Sequence, residues 1–348
     1  MQNNRNASIE LLRIILIIFV IGFHIISYGP LHPDHYLSLG DKYYIPSIIL
    51  ESIFVPAVNC FIIISGFYGI KPNLRKFINL YTQVLSYSII IALIFSIYSI
   101  CNNKNFQIIA LIKSFFPIIT KQWWFFSSYI ILFLLSPFLN RLTKENNYKQ
   151  NILLWGTLFF ALCIAPSISF PFIDGRGFNF IWFIFLYLSG RIIQKYNLII
   201  SIRKAIPLYI LTIFIIILYS IFLAYIGKNK GYKSSSFSYD NIIVFLEGIT
   251  LFWIFIKIKI TKGTKQIKAI AQTVFGIYLF HEHPLIKFQI HSLFRSYEMP
   301  FYTHIIVTLT SIFIISFFIE YARLQIPKVQ SVYILRKVIY IKQLINKK

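Results

Sequence analysis

The first apolar stretch of the chain is Ile9–Tyr28, with the sequence IELLRIILIIFVIGFHIISY. It has the length that an α-helix needs to cross about 30 Å of hydrocarbon. It contains Arg13 and His24, and no small-residue cleavage site follows it, so we interpret it as a membrane-spanning helix and not as a secretion signal. The stretch therefore predicts a helical membrane protein.

The same pattern continues along the rest of the chain. Of the 348 residues, 57% are hydrophobic and 13% are charged, whereas a soluble domain is about 45–50% apolar. The apolar residues form candidate spans at approximately 9–28, 47–67, 77–100, 123–140, 152–169, 178–195, 206–226, 241–258, 268–286 and 302–322. The strands of a membrane barrel would alternate in polarity, and this pattern is not seen. We predict an all-α fold, a single membrane domain with about ten transmembrane helices.

Two shorter features complete this interpretation. Residues 106–119 are apolar but too few to cross, so we expect a helix that lies in the membrane interface or re-enters the membrane. Cys60, Cys101 and Cys163 lie in or beside apolar runs at no metal-like spacing, and we interpret them as core residues. Neither a disulfide framework nor a metal site is predicted.

Basic residues are divided unevenly between the two sides of the predicted bundle. Of the 34 Lys and Arg residues, 23 fall on the side of both termini, 10 fall on the opposite side, and Arg13 lies within the first span. The positive-inside rule then places both termini in the cytoplasm. The basic tail from about residue 323 is expected to lie against anionic headgroups of the bilayer. The net charge of +23 thus indicates membrane topology, and we predict no nucleic acid partner.

Ionisable residues inside the spans are the strongest indications of function, because each costs several kcal/mol unless it is paired or hydrated. Arg13 and His24 are eleven residues apart, about 16 Å along one face of the first helix. The predicted orientation puts Arg13 near the cytoplasm and His24 near the outer surface, so this helix could form one wall of a hydrated cleft. A neutral imidazole can take a proton from a hydroxyl that attacks an activated carbonyl, which indicates acyl transfer. Snorkelling of Arg13 and a merely interfacial His24 remain the alternative.

Other motifs narrow the possible chemistry. Glu51 begins the second span at about the depth of His24, and His281, Glu282 and His283 form a polar group before Pro284. Alternate residues on a helix point apart, so this His-x-His pair does not predict a metal. The sequence has no Walker loop, Gly-x-Gly-x-x-Gly run or Gly-x-Ser-x-Gly elbow. Ser65 and Gly66 indicate a close helix contact or a point where the helix unwinds.

Five segments in order along the chain carry motifs of a known family. They are Ile9–Arg13 with His24, Phe61–Phe67, Phe115–Pro117 with Trp123–Phe125 and Leu135–Asn140, Ile181–Gly190, and Phe275–Leu279 with His281 or His283. In this order they resemble the acyltransferase-3 family of integral-membrane acyltransferases, and more closely its bacterial branch that O-acetylates surface polysaccharides. The pair Arg13 and His24 is similar to the family's Arg-x10-His signature.

The resemblance implies transfer of an acyl group, most often acetyl from acetyl-CoA, to a hydroxyl of a cell-surface polysaccharide or its lipid-linked precursor. It implies that His24 is catalytic and Arg13 essential, with acetyl-CoA as donor and no bound cofactor. We expect the protein in the cell membrane. Candidate substrate-binding residues are Glu10, Glu51, Ser65, Trp123, Trp124, His281 and His283.

Two other functions stay open at this point. Ten spans with buried charges and a basic cytoplasmic face also suit a transporter or flippase for a surface-glycan intermediate. Hydropathy and motifs show no inverted repeat between the halves, which favours the enzyme. A scaffold subunit of an envelope-polymer assembly is the third possibility.

Overall fold

The computed structural model describes residues 6–28, 42–102, 106–167, 176–226, 235–287, 289–290 and 300–325. Helices account for 81% of these residues, and they contain no strand. The prediction of an all-α polytopic membrane protein is confirmed. The predicted basic tail lies outside the described residues from residue 326 onwards.

Thirteen helices follow one another along the described residues. They are α1 (Ala7–Tyr28), α2 (Tyr44–Phe54), α3 (Ala57–Tyr68), α4 (Leu74–Cys101), α5 (Ile108–Ser114), α6 (Trp124–Glu145), α7 (Tyr148–Phe159), α8 (Phe180–Lys195), α9 (Ile202–Tyr225), α10 (Ile242–Lys257), α11 (Thr264–Ala271), α12 (Val274–His281) and α13 (Phe301–Gln325). A π-helical turn at Phe160–Ile164 extends α7 to Ser167.

Seven helical units in the described residues are long and apolar enough to cross a membrane. They are α1, α2 with α3, α4, α6, α7 with its extension, α9 and α13. The expected spans at 178–195 and 241–258 are α8 and α10, which have 16 residues each and fall short of a full crossing. The expected span at 268–286 is divided into α11 and α12, because Gln272 and Thr273 interrupt the helix.

The sequence predictions for two peripheral features have different outcomes. Helix α5 has seven residues, so it is too short to cross, as predicted. Its side chains Ile108, Ile109 and Ile112 are exposed. Cys101 lies exposed at the end of α4, and its interpretation as a core residue is wrong. Position at the end of an apolar helix does not ensure burial, because that end can face outward.

Helix α1 lies at the centre of the bundle. In its most apolar window 72% of the residues are buried, against 22% in α9, which faces outward. It packs against α2, α3, α10, α11, α12 and α13. An apolar helix that is surrounded by protein is where an ionisable residue can be enclosed away from lipid.

The closest helix contact joins α3 to α8. A side chain on Gly66 would collide with the carbonyl oxygen of Tyr187, and one on Gly190 would collide with the carbonyl oxygen of Ile63. Small residues let backbones approach in membranes, where lipid gives little hydrophobic drive for helix association. The predicted close contact at Ser65 and Gly66 therefore exists, and it fixes the wall that faces α1.

Candidate functional site

A cavity of about 720 Å³ runs along one face of α1. The residues of this helix that line it recur every three or four positions, namely Ile9, Glu10, Arg13, Ile17, Val20 and His24, and Asn6 precedes them. This spacing is that of a single helix face. From Asn6 to His24 the helix rises about 27 Å, which is most of a bilayer's hydrocarbon thickness. Arg13 and His24 therefore share one cavity.

The Arg13 end of the cavity is polar. The guanidinium Nη1 of Arg13 lies 3.6 Å from Oε2 of Glu10, and both side chains line the cavity. The Arg13 side chain is 36% exposed, whereas that of Glu10 is 7% exposed. The exposed guanidinium retains donors for an anionic group, because it presents five N–H bonds and one carboxylate occupies few of them.

The His24 end has aromatic walls. Trp124 stacks on Tyr239 with ring centroids 5.7 Å apart, and Tyr278 meets Phe125 edge to face at 5.5 Å. All four side chains line the cavity together with His24. Such walls bind flat or ring-shaped groups through their faces and exclude water.

The imidazole of His24 is held by two residues from the end of α12. Its Nδ1 lies 3.0 Å from Oε1 of Glu282 and 3.3 Å from Nε2 of His281. His281 in turn has Nδ1 2.7 Å from the carbonyl oxygen of Ile277. His24, His281 and Glu282 are all buried, so this contact is shielded from solvent.

These partners assign the hydrogens on both rings. The Ile277 carbonyl can only accept, so Nδ1 of His281 carries its hydrogen and Nε2 carries the lone pair. Nδ1 of His24 then donates its hydrogen to Nε2 of His281, with Oε1 of Glu282 beside it at 3.0 Å, and Nε2 of His24 is the basic nitrogen. A carboxylate beside the donating nitrogen of a histidine stabilises the imidazolium that forms when the other nitrogen takes a proton. The arrangement suits a general base or a nucleophile at the cavity wall.

The same three residues are of a kind that binds metal. One ligand atom from each of His24, His281 and Glu282 lies within 4.8 Å of the others. This group is not the His-x-His pair of the sequence, because it contains His24 of α1 and does not contain His283. The distances between these three side chains suit a metal site, and they equally suit two hydrogen-bonded histidines beside a carboxyl group. The absence of a metal therefore stays a prediction.

Three of the predicted substrate-binding residues line the cavity: Glu10, Ser65 and Trp124. The hydroxyl of Ser65 donates to the carbonyl oxygen of Phe61, 3.0 Å away on the preceding turn. Their contact with a substrate stays a prediction.

The other four lie behind the cavity wall. Trp123 is buried and donates from Nε1 to the carbonyl oxygen of Leu279 at 3.1 Å, with its ring against His283 at 5.2 Å. Glu51 is fully buried on α2, and His281 contacts His24 from the side of α12. Adjacent residues of a helix differ in direction by about 100°. For this reason Trp124 reaches the cavity and Trp123 does not.

Sequence analysis did not identify Glu282, Gln83 or Tyr239 as site residues. Glu282 stands in the polar group before Pro284, and an acid between two histidines at a helix end was a signal that could have been followed. Gln83 and Tyr239 line the cavity from α4 and from the segment before α10. Neither stands out from its sequence neighbours.

Comparison with known proteins identifies the family of the chain. A family model for an acyltransferase domain, that of the acyltransferase-3 family, matches residues 6–321. No curated protein and no solved structure matches the chain. The matched region contains every residue of the cavity, including the Arg13 and His24 face of α1. The chain therefore belongs to the acyltransferase-3 family and is a membrane-embedded acyltransferase.

Proposed function

We propose that this enzyme transfers an acetyl group from acetyl-CoA to a hydroxyl of a cell-surface polysaccharide or of its lipid-linked precursor. The proposal places the protein in the cell membrane with both termini in the cytoplasm. Acetyl-CoA is then a substrate that enters from the Arg13 end, and the glycan reacts at the His24 end.

The observation that carries this proposal is the single cavity that Arg13 and His24 share. A cation that can hold an anionic donor stands about 16 Å along the helix from a basic imidazole. Acetyl-CoA has the same layout, with phosphates at one end and a thioester at the other. The excess of basic residues on the side of Arg13 supports a cytoplasmic entry, because acetyl-CoA is a cytoplasmic metabolite.

His24 has a defined part in the reaction. Its Nε2 takes the proton of the acceptor hydroxyl while that oxygen forms a bond to the thioester carbonyl carbon. The carbon–sulfur bond then breaks, and the thiolate of CoA leaves with the proton from the imidazolium. Glu282, 3.0 Å from Nδ1, stabilises the positive charge on the ring between these two steps.

A two-step route uses the same nitrogen. Nε2 of His24 attacks the thioester carbon, the thiolate of CoA leaves, and the acetyl group stays on the ring. The acceptor hydroxyl then attacks this acetyl group, its proton is lost to solvent or to the departed thiolate, and His24 is regenerated. In the first route Nε2 of His24 contacts the acceptor hydroxyl, and in the second it contacts the thioester carbon.

The aromatic walls at the His24 end support a sugar acceptor. The faces of Trp124, Tyr239 and Tyr278 give apolar surface with polar edges, which fits a sugar ring with its apolar face and peripheral hydroxyls. Close packing at these rings orients the attacking hydroxyl, and orientation supplies a large part of the rate of a bimolecular transfer.

The proposal is tested with membrane vesicles that contain the protein. Acetyl-CoA labelled in the acetyl group is supplied on the side of the termini, and the polysaccharide fraction is analysed for label. Labelled O-acetyl groups without net transport of a solute support the proposed function. Movement of a glycan intermediate without acetyl transfer would overturn it in favour of a flippase.

A further inference from the structure

A buried polar network stands behind the cavity wall at the level of Gln83. The carboxylate of Glu320, on α13, is fully buried and accepts four hydrogen bonds. Nε and Nη2 of Arg323 donate to its two oxygens at 2.6 Å, and the hydroxyl of Tyr87 donates at 2.8 Å. Nε2 of Gln83 completes the set at 3.0 Å.

This network is fixed in place by the helix on its other side. Gly276 of α12 lies directly against the carboxyl group of Glu320, where any side chain would collide with it. The guanidinium of Arg323 contacts both oxygens of Glu320 and holds the carboxyl group in one orientation. Glu320 is therefore a rigid acceptor that joins α4, α12 and α13.

The network determines how the amide of Gln83 points. Both oxygens of Glu320 accept hydrogen bonds from Arg323, so the NH₂ group of Gln83 is the one that faces Glu320. Its Oε1 is then turned away from Glu320, and Gln83 lines the cavity. The wall consequently presents a carbonyl oxygen in a fixed direction. Such an atom attracts N–H or O–H donors and repels anions, so it does not suit a phosphate.

Gln83 lies between the two ends of the cavity. It bonds Glu320, which packs against Gly276 of α12. Gly276 is five residues before His281, the partner of His24, which is about 8 Å along the helix. Arg13 is about 16 Å from His24 along α1, so Gln83 stands between the two.

We propose that Oε1 of Gln83 accepts a hydrogen bond from an amide N–H of the pantetheine arm of acetyl-CoA. This inference rests on the proposed function. With the donor phosphates at Arg13 and the thioester at His24, the arm that joins them passes Gln83. The amide N–H groups of the pantetheine arm are the hydrogen-bond donors along its length. Gln83 is thus a positioning residue that sets how far the thioester reaches.

The test combines a change in the protein with a change in the donor. Donor KM and kcat are measured for the full chain in lipid vesicles with acetyl-CoA and with analogues in which each pantetheine amide in turn is replaced by an ester. In the wild type, one of the analogues should raise the donor KM about tenfold, the effect of one lost hydrogen bond. Gln83→Met should raise the donor KM for acetyl-CoA by a similar factor. With that analogue as donor, the KM of Gln83→Met should be no higher than its KM for acetyl-CoA.

Two control variants separate binding from structural damage. Tyr87→Phe removes another donor to Glu320 but no cavity atom, and it should change the donor KM less than twofold. Ser86→Ala removes a hydroxyl that donates to the carbonyl oxygen of Thr82 within α4, and it should match the wild type. If Tyr87→Phe raised the donor KM as much as Gln83→Met does, the effect would come from the network and the inference would be overturned.

The remaining outcomes distinguish the two proposals. In one outcome the wild type transfers acetyl groups from acetyl-CoA, while every analogue raises the donor KM of Gln83→Met by the same factor as that of the wild type. In that case Gln83 does not bind the arm, and only this inference fails. If the wild type transfers no label from acetyl-CoA, the proposed function itself fails.

Discussion

Nδ1 of His24 lies 3.0 Å from Oε1 of Glu282, although the first residue belongs to the opening helix and the second follows α12 near the end of the chain. Both side chains are buried. Together with the hydrogen bond from Nδ1 to His281, this contact holds the imidazole in one tautomer and one orientation.

Replacing Glu282 tests whether this carboxylate assists the transfer. Glu282→Gln keeps the size of the side chain and removes its charge, so the imidazolium loses its stabilisation, and we expect kcat to fall about 10- to 100-fold with the donor KM unchanged. Glu247→Gln is the matched control, since Glu247 is equally buried on α10 but does not line the cavity. Equal kcat values for the two variants would exclude a role for Glu282.

Replacing Arg13 tests the binding of the donor. Arg13→Gln removes a half-exposed cation from the cavity, and we expect the donor KM to rise about tenfold or more, with a smaller rise for Arg13→Lys. The KM for acetyl-CoA is measured at two salt concentrations, because the loss of an ionic contact also weakens the salt dependence. An exposed arginine, Arg141, which is paired with Glu145, supplies the control Arg141→Gln. An unchanged donor KM in Arg13→Gln would contradict the proposed donor site.

Chelation tests the prediction that no metal takes part. His24 acts through its ring nitrogen with Glu282 as partner, so treatment of the vesicles with EDTA should leave the rate of acetyl transfer unchanged. Metal content of the purified protein is measured in parallel. A loss of activity that zinc restores would show instead that His24, His281 and Glu282 hold an ion.

Glycine substitutions test the contact of α3 with α8. An alanine at Gly66 would place its Cβ against the Tyr187 carbonyl, and overpacking of this kind costs about 1–3 kcal/mol or more. We expect a lower unfolding temperature in detergent. Gly156→Ala is the control, because nothing lies within 4 Å of its position, and helix propensity should stabilise it slightly. Similar unfolding temperatures for both variants would refute the close contact.

The sequence was sufficient for the features that depend on helical periodicity. Arg13 and His24 are eleven residues apart on one helix, so their common face follows from the helix geometry. Trp123 and Trp124 were both assigned to substrate contact, and only the packing of α6 shows that the second faces the cavity. A hydropathy pattern locates a helix but does not fix its rotation within a bundle.

Helical periodicity does not predict contacts between distant parts of the chain. Glu282 approaches His24 because α12 packs against α1, and no local pattern encodes that pairing. The division of the ninth predicted span into α11 and α12 has a similar origin. Hydropathy averages over a window, and it overlooks the two residues, Gln272 and Thr273, that end one helix and begin another.

The central claim is that His24 carries out acetyl transfer, and His24→Gln tests it most directly. The variant keeps a polar side chain in the cavity but cannot act as a base at neutral pH. In vesicles with equal amounts of inserted wild-type and variant protein, transfer of label from acetyl-CoA to glycan is measured. We expect the variant to lose at least about 10²- to 10⁴-fold in rate. A normal rate of labelling by His24→Gln would remove His24 from the mechanism.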